Sequence, residues 1–172
     1  MKPLINSINA LNESVGRAIA WLTLLMVITQ FAVVVLRYGF NVGWIAMQES
    51  ILFMHALVFL LGSAYTLHHD GHVRVDIFYQ KMSLKGRALV DILGTVFLLL
   101  PVCVYIGWIS WDYVAESWRI TEGSREAGGL PGVFLLKSSI ILMALLLSLQ
   151  GISMLLQNLL IFSGASNKDG ES

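Results

Sequence analysis

Four stretches of this chain carry no charged residue: 18–36, 50–69, 92–111 and 138–167. Each is at least 19 residues long, and a helix of about 20 residues, rising 1.5 Å per residue, crosses the roughly 30 Å hydrocarbon core of a bilayer. The remaining positions hold all 11 Lys+Arg and all 11 Asp+Glu, so the net charge is zero by balance and the sequence alternates between water-compatible and apolar blocks. A soluble four-helix bundle would show polar faces at the 3.6-residue period inside those blocks; Leu24–Ile28 and Phe31–Leu36 leave none. Intrinsic disorder and nucleic-acid binding are excluded as well, because there is no low-hydropathy region and no basic block. The fold class that follows is an all-α integral membrane protein with four transmembrane helices. The spans fall at about 16–37, 49–69, 88–112 and 137–162, in one domain over 1–162, and the polar tail 163–172 is expected to be disordered.

Orientation comes from Lys and Arg near the helix ends. Lys2, Arg17, Arg74, Lys81, Lys85, Arg87 and Lys168 fall on one side, and Arg37, Arg119, Arg125 and Lys137 on the other. Both termini are therefore expected in the cytoplasm. The first apolar block is too long for the core of a cleaved signal peptide, so the first helix is expected to be retained. Before it, Leu4, Ile5, Ile8, Leu11 and Val15 alternate with Asn6, Asn9, Asn12 and Glu13. That spacing predicts an amphipathic segment lying at the interface or running into the first span. Ser83 is placed to cap the third helix, and Pro101 to kink it. Tyr105, Trp108, Trp111, Tyr113 and Trp118 form half of an aromatic belt. No internal repeat is visible, and Cys103 has no partner for a disulfide.

Polar residues inside the spans are the candidates for function, because in lipid a polar side chain points toward protein or water. Gly16, Thr23, Gln30 and Arg37 are spaced seven apart on the first helix. Gln48, His55, Gly62, Thr66 and His69 share one face of the second, and Ser139, Gln150, Ser153 and Gln157 one face of the fourth. Packing and interhelical hydrogen bonding account for these stripes. A solute or ion path through the chain is the lesser reading, since no carboxylate lies at mid-membrane and the spans lack paired Gly/Pro breaks. Glu49, alone at the start of the second span, is expected to pair with an Arg or cap a helix.

The histidines offer a metal reading and a haem reading. The His68-His69-Asp70-Gly71-His72 run matches none of the common zinc spacings, and a helix end with Gly71 in the C′ position explains it better. All four histidines fall within 55–72, so a bis-histidine haem would lack a ligand from a facing helix. No metal and no cofactor is expected on this chain. A nucleophile–base pair and a phosphate-cradling glycine loop are both missing, so no enzyme is expected.

The order Trp44-(x4)-Glu49, Gly62 and His72-Val73-Arg74-Val75-Asp76 resembles the small membrane subunit of tripartite ATP-independent periplasmic (TRAP) transporters, the DctQ-like proteins. Ser117-Trp118, Glu122-(x)-Ser124, Gly128-Gly129-Leu130-Pro131, Leu136-Lys137 and Leu149-Gln150-Gly151 strengthen the likeness and resemble the mannitol/chloroaromatic-type branch. It covers about residues 15–155. One departure is that many members carry two adjacent acids near the start of the second helix, where this chain has Gln48-Glu49.

The resemblance implies a non-catalytic permease subunit of the bacterial inner membrane. It implies a large multi-span TRAP subunit as partner, with the solute and sodium sites, and a periplasmic solute-binding protein that delivers a small organic acid or related solute. No substrate-binding residue is then expected on this chain. Gln30, Arg37, Trp44, Glu49, His55, Gly62, His72, Asp76, Gln150 and Gln157 become candidates for the partner interface, with Asp76 pairing Arg74 or Arg87 at an elbow over 73–82. In the loop 112–137, Glu122, Arg125 and Glu126 become candidates for docking the binding protein; a solvated loop with local ion pairs is the plainer account. A cofactor-holding subunit of a redox complex and a self-sufficient small carrier are the alternatives. A haem Soret band would identify the first, and transport by this chain alone in liposomes the second.

Overall fold

A computed structural model describes residues 1–72, 77 and 79–163. Helix α1 runs from Lys2 to Phe40 without a break. The amphipathic segment and the first span are therefore a single rod of 39 residues, about 58 Å long at 1.5 Å per residue. Asn41 ends it in the left-handed conformation, φ 55°, while the Val42 N–H bonds the Leu36 carbonyl at 3.0 Å. Helix α2 spans Ile45–His68.

Its end departs from the sequence expectation by one residue. Asp70, not Gly71, takes the left-handed position, at φ 55°. The Gly71 N–H then reaches the Thr66 carbonyl at 2.8 Å and the Asp70 N–H the Leu67 carbonyl at 3.2 Å, the paired bonds of a Schellman end.

A short 3-10 turn at Tyr79–Lys81 precedes helix α3, Leu84–Arg119. The expected cap is present: Ser83 Oγ accepts from the Gly86 N–H at 3.2 Å. Inside α3, Thr95–Leu99 form a π turn immediately before Pro101. Proline lacks an N–H and its ring collides with the carbonyl four residues back; the wider turn accommodates it. Helix α4 covers Val133–Phe162. No strand occurs among the described residues, and all four helices are long and apolar enough to cross a membrane.

Helix α4 is the central post. It packs against α1, α2 and α3, and α1 and α2 pack along each other. In its most apolar stretch 33% of residues are buried, against 6% in α1 and α2 and 11% in α3. Small residues let the backbones approach, as membrane packing favours. A methyl on Gly151 would lie 2.8 Å from Leu99 of the π turn, and one on Gly16 would lie 2.1 Å from the Tyr65 ring. Ala64, Ala88, Ala144 and Cys103 are buried in the same seams. The bundle has a loop end, where the α1–α2 turn meets the α3–α4 loop, and a termini end, where the start of α1 meets the ends of α2 and α4.

Candidate functional site

At the loop end, Glu49 reaches across from the second turn of α2 to the α3–α4 loop. Its carboxylate accepts from the Ser124 hydroxyl and, at 2.7 Å, from the Leu130 N–H. Among the described residues it neither pairs with an Arg nor caps a helix; it clasps a loop. The GGLP segment is shaped for that clasp. Gly128 turns the chain at φ 80°, and a side chain at Gly129 would sit 2.6 Å from Glu49 Oε2. Glu122 accepts from the Ser117 hydroxyl at 2.7 Å and from the Lys137 ammonium. The ammonium also lies 3.8 Å from the Tyr113 ring centroid. The Lys137 ammonium beside it, and then the Ser117 hydroxyl, hold the Glu122 carboxyl below the ordinary carboxylate range. Trp118 Nε1 donates to Ser138 Oγ at 2.7 Å, and its ring meets Phe134 edge-on. Of the three expected docking residues, Glu122 is therefore committed to an internal ion pair, while Arg125 and Glu126 are exposed.

At the termini end the seam between α1 and α4 is held by neutral groups. Asn12 Nδ2 donates to Gln150 Oε1 at 2.7 Å, and Gln150 Nε2 donates to Asn9 Oδ1 at 3.2 Å. Asn9 Oδ1 also accepts from Ser153 Oγ at 2.8 Å, and Gln157 Nε2 donates to Ser153 Oγ at 3.2 Å. His68 Nδ1 lies 3.4 Å from Gln150 Nε2 and brings α2 into the same network. Asn12 and Gln150 are 1% and 2% exposed. Within residues 3–17, Asn9 and Asn12 face α4, while Asn6 is exposed together with Leu4 and Leu11. The signal was present in the sequence, as Asn9/Asn12 and Gln150/Ser153 are each three apart and so form matched polar pairs on two helices.

The third feature is the outward flank of α1 and α2. The seam of α1 toward its neighbours is apolar except at Thr29: Val15, Ile19, Leu22, Met26, Thr29, Val33 and Leu36 are all half-buried, at alternating steps of four and three. Thr23, Gln30 and Arg37 each stand one residue past a seam position and are exposed. On α2, His55 is exposed between Leu52 and Phe59. Below it, a groove of about 550 Å³ runs between the two helices, lined by residues that include Thr23, Phe59, Gly62, Thr66 and His72. Gln30 lies one heptad above Thr23 and His55 one turn above Phe59, so the antiparallel pair places both along the same flank.

Arg37 and Trp44 meet at the α1–α2 turn, where both line a small cleft. The expected interface residues thus separate into three places: the flank (Gln30, His55, Gly62, His72), the loop end (Arg37, Trp44, Glu49) and the internal network (Gln150, Gln157). Asp76 and the elbow pairing expected for it lie outside the described residues. Among the described residues, one group can offer three metal-ligating side chains close together: Glu13, His68 and His69.

Three spanning helices packed around a fourth, with buried amides and hydroxyls joining them, define a four-helix membrane-embedded protein. Residues 18–160 match the profile of the DctQ component of tripartite ATP-independent periplasmic transporters. The chain belongs to this family: it is a small permease (DctQ) subunit of a TRAP transporter, a multi-pass protein of the bacterial inner membrane. It is 30% identical over 82 residues to a Haemophilus influenzae protein whose naming as a TRAP transporter small permease protein is itself provisional. The alignment covers 48% of this chain and 50% of that protein, so the chain spans about half the length of the curated relative it matches. No solved structure matches.

Proposed function

We propose that this chain is the scaffold of its transporter. The flank of α1 and α2 rests against a large multi-span subunit that holds the solute and sodium sites, and the loop end receives a periplasmic binding protein carrying a small organic acid. The observation that carries this reading is the exposure of Gln30 and His55 among exposed apolar neighbours, Val27, Phe31 and Val34 on α1 and Leu52 and Phe59 on α2. An amide or imidazole facing acyl chains has no hydrogen-bond partner and is costly there; against another protein's helices it is satisfied. The groove beside Gly62 gives such a helix room to approach. In this arrangement both termini lie in the cytoplasm, as the Lys/Arg bias requires.

Co-purification from membranes in mild detergent tests the reading. A stable complex with one much larger polytopic protein is expected, and Gln30→Leu with His55→Leu together should weaken it while leaving the isolated chain folded. A chain that runs alone in every mild detergent, or a complex indifferent to the double substitution, overturns it.

A further inference from the structure

We propose that Glu13, His68 and His69 form a binding site for a divalent transition-metal ion of the Zn²⁺ type at the termini end, joining α1 to the end of α2. The three side chains offer one donor atom each, all within 4.8 Å of one another. His69 Nε2 and Glu13 Oε2 are already 2.8 Å apart. Tetrahedral Zn²⁺ with bonds of 2.0–2.2 Å needs donors about 3.3 Å apart, so the largest gap closes by side-chain rotation alone. His69 has that freedom, its side chain being 47% exposed and that of Glu13 26%. Two imidazoles and one carboxylate are a donor set suited to zinc, with a fourth position left to water.

The surroundings are those of a built site. Because α1 carries no side chain at Gly16, the Tyr65 ring lies directly against it. Tyr65 and His68 then flank the His69 ring, with centroids 4.4 and 4.8 Å away. An outer partner of the kind that orients ligands in metal sites is present too. Arg17 Nε holds the other Glu13 oxygen, Oε1, at 2.7 Å. The ligands lie at the C-terminal end of α2, where the helix dipole favours a cation. The spacing rules did not find this site, because Glu13 stands 56 positions before His69 and only the α1–α2 packing unites them.

The test uses the full chain as it purifies from membranes, with Zn²⁺ titrated against a chromogenic chelator and Co²⁺ as a spectroscopic substitute. One Zn²⁺ per chain and the visible absorption of tetrahedral Co²⁺ are expected. Glu13→Gln, His68→Ala and His69→Ala should each weaken binding about tenfold or more, while Cys103→Ser and His72→Ala retain it. Zn²⁺ should raise the unfolding temperature of the wild type and not that of Glu13→Gln, which separates loss of the site from loss of the fold. Absence of stoichiometric Zn²⁺, or binding that survives the combined His68→Ala and His69→Ala change, or is lost with His72→Ala, overturns the proposal.

Discussion

The two ends of this bundle are fastened by different chemistry. At the loop end the fasteners are two carboxylates: Glu49 gathers a hydroxyl and a backbone N–H from a loop about 80 residues away, and Glu122 holds Lys137. At the termini end the α1–α4 seam is fastened by Asn9, Asn12, Gln150 and Ser153, all neutral, and the carboxylate there, Glu13, lies on the α1–α2 side. The difference follows from the surroundings. A carboxylate beside water keeps part of its hydration, whereas an amide buried between apolar helices costs less to desolvate than a charge. It teaches that acid should loosen the loop end and leave the α1–α4 seam of the termini end unchanged.

The comparison breaks most sharply at Gln150. Gln150→Leu leaves the buried Asn12 Nδ2 without its acceptor, an orphaned donor that costs about 1–3 kcal/mol, and removes one of the two donors to Asn9 Oδ1. The unfolding temperature in detergent should fall more for this change than for any at the loop end. Gly16→Ala comes next. Its methyl would collide with Tyr65, an overpacking worth about 1–3 kcal/mol that the same melt would show.

Glu49→Ala should leave that melt almost unchanged and instead free the loop. Faster hydrogen exchange at the Leu130 amide and cleavage near Arg125 by an added protease are the readouts, with Glu49→Gln intermediate. The pH experiment has a definite sign. Glu122 has a lowered folded pKa, so its stabilisation is complete above the ordinary carboxylate range and is lost as pH falls below that range through the folded value. Loop exchange should accelerate in acid while the Asn9–Gln150 region does not respond. The smallest structural effect belongs to Arg125→Glu with Glu126→Arg. Stability should not move, and transport supported by the binding protein should fall; unchanged transport removes Arg125 and Glu126 from docking.

Much of the fold was legible because the membrane imposes it. Uncharged stretches of bilayer length leave the backbone only helices to form, and the four blocks, the Ser83 cap and the exposed aromatics from Tyr105 to Trp118 all reappear. What could not be read was which side of each helix faces protein. The heptad Gly16, Thr23, Gln30 and Arg37 looks like one stripe, yet a straight helix drifts by about 20° per heptad, so Gly16 is buried and the other three are exposed. Glu49 finds its partners in, and Glu122 reaches Ser117 and Lys137 from, a loop whose path depends on Gly128 and Gly129, and periodicity carries no information about loops.

The π turn in α3 has a consequence for phase. The inward residues Ala88 and Thr95 are seven apart, but the next fully buried one, Cys103, comes eight later rather than seven. The extra residue in the wide turn cancels the 100° rotation that would otherwise carry Cys103, Val114 and Ser117 round to the lipid. Removing one residue from 96–99 should therefore do more than shorten a span. It would rotate the whole second half of the helix about its axis, trade its α4-facing side for its lipid-facing one, and turn the Ser117 hydroxyl away from Glu122.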